Sequence, residues 1–169
     1  TLSLHDALPI SAPLYRLART VAVMPIDSRM IDNMKADRVR KVADLANRRT
    51  RERFGRFLIE GPQSVREAVT WMPDAVRDLY VQAVDGPDGP RIAGETLTSI
   101  VERSQEHRIY VHPASEAVMR RISPDCQGIA AVGDADAVRA TAQGTQLPEK
   151  PFVAAFWQVR DPGNAGTVI

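Results

Sequence analysis

The sequence is poor in the residues that build disulfide frameworks and metal sites. Its 169 residues include one cysteine, Cys126, and three histidines. A single cysteine excludes an internal disulfide framework and is typical of a reducing compartment, so we expect a cytoplasmic protein. His107 and His112 do not have the partner spacing of a zinc site or a catalytic triad, and we predict no bound metal. Cys126 is expected to be a small buried hydrophobe, because lone cysteines are more often buried than reactive.

Long apolar runs are also absent. The run at residues 21–24, preceded by Arg16 and Arg19, is too short for the core of an export signal and far too short to cross a bilayer. We therefore expect no membrane partner. Residues 1–13 show neither helical nor strand periodicity. We interpret residues 1–29 as a non-native or disordered leader, with the first domain starting at residue 30.

A strong net charge is missing too, but the cations are unevenly distributed. The formal net charge is +1, whereas residues 35–56 hold nine Lys and Arg against three Asp and Glu. Apolar residues recur at helical spacing through residues 36–53, which predicts one basic amphipathic helix. Such a helix is either a solvated face or a surface that neutralises nucleic-acid phosphates. The candidate RNA-contacting side chains are Arg38, Arg40, Lys41, Arg48, Arg49, Arg51 and Arg53.

From residue 56 to residue 134, short apolar runs alternate with helical patterns. This alternation predicts an α/β fold, an α/β/α sandwich with helices on both faces of a sheet. Residues 85–90 are rich in Gly, Pro and Asp and predict a loop, and residues 135–150 read as a linker with one possible short helix near 135–142. The predicted strands are 56–60, 76–81, 108–111 and 129–132, and the predicted helices are 62–72, 94–107 and one that starts after the N-cap Ser115.

The end of the chain combines an apolar strand with a glycine turn. Residues 152–159 have strand composition and lead into the turn Asp161-Pro162-Gly163-Asn164. A turn of this kind before a helix often presents backbone N–H groups to a ligand. It is not a phosphate-binding P-loop, since Lys-Ser/Thr does not follow. By turn chemistry alone, Asn164 would be an ordinary turn asparagine.

Three stretches resemble the SpoU/TrmH family of RNA ribose 2′-O-methyltransferases, which belongs to the SPOUT superfamily with its knotted α/β catalytic domain. The stretch from Lys41 through Gly61, and especially residues 56–68 (Arg-Phe-Leu-Ile-Glu-Gly-Pro-Gln-Ser-Val-Arg-Glu-Ala), resembles the opening of the family's ribosomal-protein-like substrate-binding domain. Residues 127–132 resemble its closing strand. Residues 161–169 (Asp-Pro-Gly-Asn-Ala-Gly-Thr-Val-Ile) resemble the first catalytic-domain motif and are the most specific of the three. Cys126 departs from the family pattern, which often has proline there.

The resemblance implies an RNA substrate-binding domain over residues 30–134, a linker over 135–150 and a truncated start of the methyltransferase domain over 151–169. It makes Asn164 a catalytic-pocket side chain. Gly163 and Gly166 would allow close backbone approach. Apart from the resemblance, Arg160 either contacts RNA phosphate or is a solvated residue at a strand end.

The resemblance also implies S-adenosylmethionine as methyl donor, bound by motifs that would follow Ile169. Ribosomal or transfer RNA is the implied substrate, and a homodimer the implied assembly of the full-length protein. This chain alone is expected to be inactive. Two alternatives stay open: a non-catalytic RNA-binding module of ribosomal-protein-like fold, and a nucleotide-binding α/β protein whose glycine turn meets phosphate.

Overall fold

The computed structural model describes residues 26–144 and 149–150. Within them, helices and strands alternate along most of the chain, as predicted. The helices are α1 (Asp37–Ala43), α2 (Arg48–Phe54), α3 (Pro62–Trp71), α4 (Glu95–Glu106), α5 (Glu116–Ile122) and α6 (Ala135–Gly144). The strands are β1 (Arg56–Glu60), β2 (Val76–Gly86), β3 (Gly89–Ile92), β4 (Tyr110–Ala114) and β5 (Ile129–Asp134).

The strands form a mixed sheet with the spatial order β1-β5-β2-β4. Strand β5 runs antiparallel to both β1 and β2, and β4 runs parallel to β2. The end of β2 continues into a hairpin with β3. Residues 26–31 cover the free edge of β4, where the backbone N–H of Asp27 donates to Val111 O (3.1 Å) and that of Ile31 donates to Pro113 O (2.8 Å).

Helices pack on both faces of the sheet, which confirms the predicted α/β/α sandwich. On one face, α3 and α4 bury an aliphatic cluster that includes Val65, Val69, Leu79 and Ile100. On the other face, α1 and α5 pack against the sheet through residues such as Val39 and Met119.

The two helix layers differ in length. Helices α3 and α4 have 10 and 12 residues, whereas α1 and α5 have 7 each. At a rise of about 1.5 Å per residue, a seven-residue helix spans only about 10 Å. Part of the sheet on the α1/α5 face is therefore left without a helix above it.

The single basic helix predicted over residues 36–53 is wrong. The segment forms α1, a 3-10 turn at Asp44–Ala46, and α2. Asn47 separates them because its backbone is extended (φ −84°, ψ 128°), and its side chain accepts a hydrogen bond from the N–H of Arg49 (3.0 Å). Asparagine favours this capping geometry over the helix interior, so it starts a new helix here.

One loop prediction and one strand prediction also need correction. The predicted loop at 85–90 is a β-hairpin, with Gly86 paired to Gly89 across its turn. Strand β4 begins at Tyr110 and not at residue 108, because Arg108 adopts a left-handed conformation (φ 60°) that a strand does not accommodate.

The predicted domain boundaries stay predictions. Residues 1–25 of the proposed leader lie outside the described residues, whereas Ile26 in the same segment forms a bridge with Val111. In the proposed linker, α6 occupies the position suggested for a short helix. The predicted strand at 152–159 and the motif at 161–169 lie outside the described residues.

Candidate functional site

An open groove of about 940 Å³ lies where α1 and α5 leave the sheet uncovered. One wall consists of α1, the 3-10 turn and α2, and the floor consists of side chains from all four strands of the main sheet. Its lining includes four cations and two carboxylates, so the groove is net positive. These residues are Arg38, Lys41, Arg53 and Arg56, with Asp44 and Asp78.

Strand register places the polar floor residues side by side. Asp78 of β2 pairs with Tyr110 of β4, and Tyr80 pairs with His112 two residues further along. Side chains two residues apart in a strand lie on the same face. All four therefore lie on the α1/α5 face and line the groove.

His112 connects the floor to the wall. The ring is buried, and it lies between Tyr80 and Tyr110 with centroid distances of 4.9 and 4.6 Å. Nδ1 is 3.1 Å from Nη1 of Arg38, and Nε2 is 3.3 Å from Oδ1 of Asp78. Because a guanidinium can only donate, we assign Nδ1 as acceptor and Nε2–H as the donor to Asp78. His112 thus holds Arg38 in position.

Electrostatics fixes the charge states of two floor groups. The hydrogen bond from His112 holds the pKa of the Asp78 carboxyl below its ordinary value, outweighing burial, with Arg38 and Arg56 adding to the effect. Burial, followed by the charge of Asp78, raises the pKa of Tyr80 well above its ordinary value. At neutral pH the floor therefore presents one carboxylate and one neutral phenol.

The structure brings three of the predicted RNA-contacting residues together. Arg38, Lys41 and Arg53 line the groove, and Arg56 joins them from β1. The guanidinium of Arg53 also lies over the ring of Phe54, with 5.3 Å from Cζ to the ring centroid. Phe54 is 56% exposed, so the outer end of this wall carries a solvent-facing aromatic ring.

The other predicted cations do not line the groove. Arg40 pairs with Asp37, and Arg48 pairs with Glu52 at 2.7 Å. Arg51 has a structural role, since its Nη1 donates to the carbonyls of Leu45 (2.9 Å) and Ala46 (2.7 Å).

Arg49 is exposed outside the groove. Arg160, Gly163, Asn164 and Gly166 lie outside the described residues.

The floor residues were not predicted as a site. The spacing of His112 predicts neither a metal site nor a catalytic triad, and the sequence pattern indicates only strands at Asp78, Tyr80 and Tyr110. A sequence signal existed: Asp78 and Tyr80 stand at alternate positions of β2 with the apolar Leu79 between them, which places both on one face. Their meeting with His112 depends on the pairing of β2 with β4, which the sequence does not specify.

Residues 26–144 and 149–150 contain no group of three or more His, Cys, Asp or Glu side chains placed to share a metal ion. None of the helices in these residues has the length and apolar character needed to cross a membrane.

The fold and the groove define an α/β/α domain with a cationic cleft, and sequence comparison gives its family. Residues 36–131, more than half of the chain, match the model of the MRM3-like substrate binding domain. The chain belongs to this family. The family relationship predicted from the three motifs is thereby confirmed. Comparison with curated proteins gives no match.

Two solved structures are similar to the chain. A crystal structure of an RNA 2′-O ribose methyltransferase shares 21% identity with a TM-score of 0.51, covering 82% of this chain and 49% of its own. An rRNA methyltransferase from Sinorhizobium meliloti shares 14% identity with a TM-score of 0.47, covering 63% and 36%. The chain therefore spans about half the length of the first protein, and that likeness is one of fold.

Proposed function

We propose that this chain is the RNA-presenting part of a ribose 2′-O-methyltransferase. The observation that carries the proposal is the groove of Arg38, Lys41, Arg53 and Arg56 within a domain of the substrate-binding family. Clustered guanidiniums and ammoniums at such a groove neutralise phosphates and release counterions, which favours RNA binding.

The whole protein would transfer a methyl group from S-adenosylmethionine to a ribose 2′-hydroxyl of ribosomal or transfer RNA, in the cytoplasm and as a homodimer. Asn164 would belong to the catalytic pocket, Gly163 and Gly166 would let the backbone approach the ligand, and Arg160 would contact phosphate. S-adenosylmethionine supplies the methyl group.

Salt-dependent RNA binding tests the groove. We expect the affinity of the chain for RNA to fall as the salt concentration rises. The magnitude of the slope of log K against log salt concentration should decrease by about 0.7 to 0.9 for each phosphate contact removed. The double variant Arg38→Ala, Arg53→Ala should therefore bind more weakly and with a shallower slope. Arg40→Ala, Arg48→Ala is the matched control, because it removes the same charge from ion-paired positions outside the groove. An equal loss in both variants, or binding independent of salt, would contradict the proposal.

Methyl transfer tests the catalytic part of the proposal. A protein extended through the catalytic motifs should transfer labelled methyl to RNA and protect the modified linkage from alkali, because alkaline cleavage needs a free 2′-hydroxyl. Methylation on a base would contradict the ribose assignment. An extended protein that binds RNA without transferring methyl would favour the non-catalytic RNA-binding module, the second candidate, which the complete groove in the described residues also supports.

A further inference from the structure

We propose that the groove receives one unpaired nucleotide of the RNA, with its base on Asp78 and Tyr80 and its flanking phosphates on the arginines of the wall. This inference rests on the proposed RNA-binding function and goes beyond it, because it specifies the RNA conformation and the part of the nucleotide that reaches the floor.

Tyr80 offers an unused hydrogen-bonding group. Its side chain is 2% exposed and lines the groove. Among the described residues, no side-chain N or O atom that is fully buried lacks a partner, and the Tyr80 hydroxyl makes no hydrogen bond to protein. The hydroxyl must therefore reach the groove, where a ligand can pair with it. Since burial raises the pKa of Tyr80, the group is a neutral donor and acceptor.

Asp78 decides which part of a nucleotide reaches the floor. Its carboxylate accepts from His112 through Oδ1 (3.3 Å) and lines the groove. An ionised carboxylate repels phosphate and accepts hydrogen bonds from N–H groups. A phosphate on the floor is therefore disfavoured, whereas the N–H donors of a nucleobase fit there. The phosphates belong beside Arg38 and Arg53 on the wall.

The base must be unpaired to make these contacts. Every base carries N–H donors on its Watson–Crick edge, and a duplex uses them within its own pairs. The groove volume of about 940 Å³ is large enough for one nucleotide together with its flanking phosphates. Phe54 and Tyr110 at the groove provide aromatic rings on which an unstacked base can stack.

Anisotropy titrations with a labelled single-stranded RNA, and with the same RNA annealed to its complement, test this inference on the 169-residue chain. Electrostatics alone favours the duplex, since its charge density is higher. The proposal predicts tighter binding of the single strand. It also predicts that Asp78→Asn weakens single-strand binding about tenfold, because an amide is a poorer acceptor than a carboxylate.

The sign of the Asp78→Asn effect is the decisive measurement. Removing a negative charge from a cationic groove should strengthen purely electrostatic binding, so a loss of affinity that Tyr80→Phe shares identifies base recognition. A loss in Asp78→Asn alone, which displacement of His112 and Arg38 would produce, overturns the inference. Asp74→Asn is the matched control, an exposed carboxylate outside the groove whose loss should leave affinity equal or slightly higher. Tyr80→Phe removes the hydroxyl without changing charge and should weaken single-strand binding severalfold. If circular dichroism shows that Asp78→Asn is misfolded, Tyr80→Phe provides the test instead.

The outcomes separate the two proposals. If neither RNA form binds, the proposed function fails and this inference fails with it. If both forms bind equally, or if Asp78→Asn and Tyr80→Phe bind the single strand as well as the unaltered chain does, RNA binding stands and the inference of an unpaired nucleotide is overturned. A single-strand preference that both variants reduce supports it.

Discussion

Two helices pack on each face of the sheet, but the faces differ in the chemistry of their buried side chains. The buried cluster under α3 and α4 consists of valine, leucine, isoleucine and alanine side chains, and the buried polar Ser104 beside it is paired within its own helix, with Oγ donating to Ile100 O (2.7 Å). The face under α1 and α5 mixes apolar side chains with Tyr80 and Cys126, and it places the buried His112 at the edge of the groove. Burial of aliphatic area is non-directional and stabilises the fold, whereas buried polar groups must be paired and so fix geometry.

Helix length accounts for much of this difference. The longer helices of the first face cover the sheet and leave little to contact a ligand. The short helices of the second face leave strand residues accessible from the groove, and α2, which has no buried residue, serves as its outer wall. The comparison teaches that the α3/α4 face contributes to stability without lining the groove, whereas the α1/α5 face combines a buried cluster with the groove residues, and each prediction below tests that division.

Leu79→Ala should have the largest effect on stability. Leu79 is fully buried in the aliphatic cluster, so its truncation should lower the free energy of unfolding by about 2–5 kcal/mol, measured by urea denaturation. RNA affinity should be unchanged at temperatures where the variant is folded, because Leu79 does not line the groove. A loss of affinity in the folded variant would break the division between the faces.

Asn47→Ala should have a smaller effect on stability and a visible effect on binding. Loss of this helix cap should cost about 1 kcal/mol of unfolding free energy. Because α2 buries no side chain, loss of the cap should destabilise this helix in particular. Arg53 and Phe54 of α2 line the groove, so RNA affinity should fall as well.

Ser115→Ala is the control for this cap. Ser115 accepts from the N–H of Val118 at the start of α5, a helix held by buried side chains that contributes no residue to the groove lining. Its removal should reduce stability to a similar degree without changing RNA affinity. If both variants lose affinity equally, α2 is not a specific wall of the site.

Much of the fold was predictable because it depends on local patterns. Strand β1 and the start of α3 follow from a short apolar run, Gly61 and the N-terminal Pro62, and Ser115 was identified correctly as a cap. The break at Asn47 was missed because helical periodicity persists on both sides of it. One residue with an extended backbone outweighs a periodic pattern that spans the whole segment.

The site was predictable only in part, for a different reason. The high density of positive charge in this segment identified Arg38, Lys41 and Arg53 as candidates. The same segment also holds Arg40 and Arg48, which form ion pairs, and Arg51, which donates to backbone carbonyls. Charge density does not reveal which partner a guanidinium meets after folding. The floor depends on contacts between β2 and β4, about thirty residues apart in sequence, and such pairing is set by the whole fold.

Acid sensitivity should show the smallest effect and should come from the groove face. The folded-state pKa of Asp78 lies below its ordinary value of 3.8, so its contribution to stability is present above pH 3.8 and is lost as the pH falls towards the folded-state pKa. Asp78→Asn should therefore flatten the decline of unfolding free energy below that pH, measured by urea denaturation at stepped pH. The change should be modest, because the side chain of Asp78 is 36% exposed and solvent screens its charge. Asp134, whose pKa is also lowered, should in addition maintain part of the pH dependence of the unfolding free energy.

Leu79→Ala is the control for this pH dependence. It should reduce stability at every pH while leaving the pH dependence of the unaltered chain, since the aliphatic face has no ionisable group in its buried cluster. If Leu79→Ala changed the slope and Asp78→Asn did not, the ionisable groups that matter to folding would lie elsewhere than at the groove.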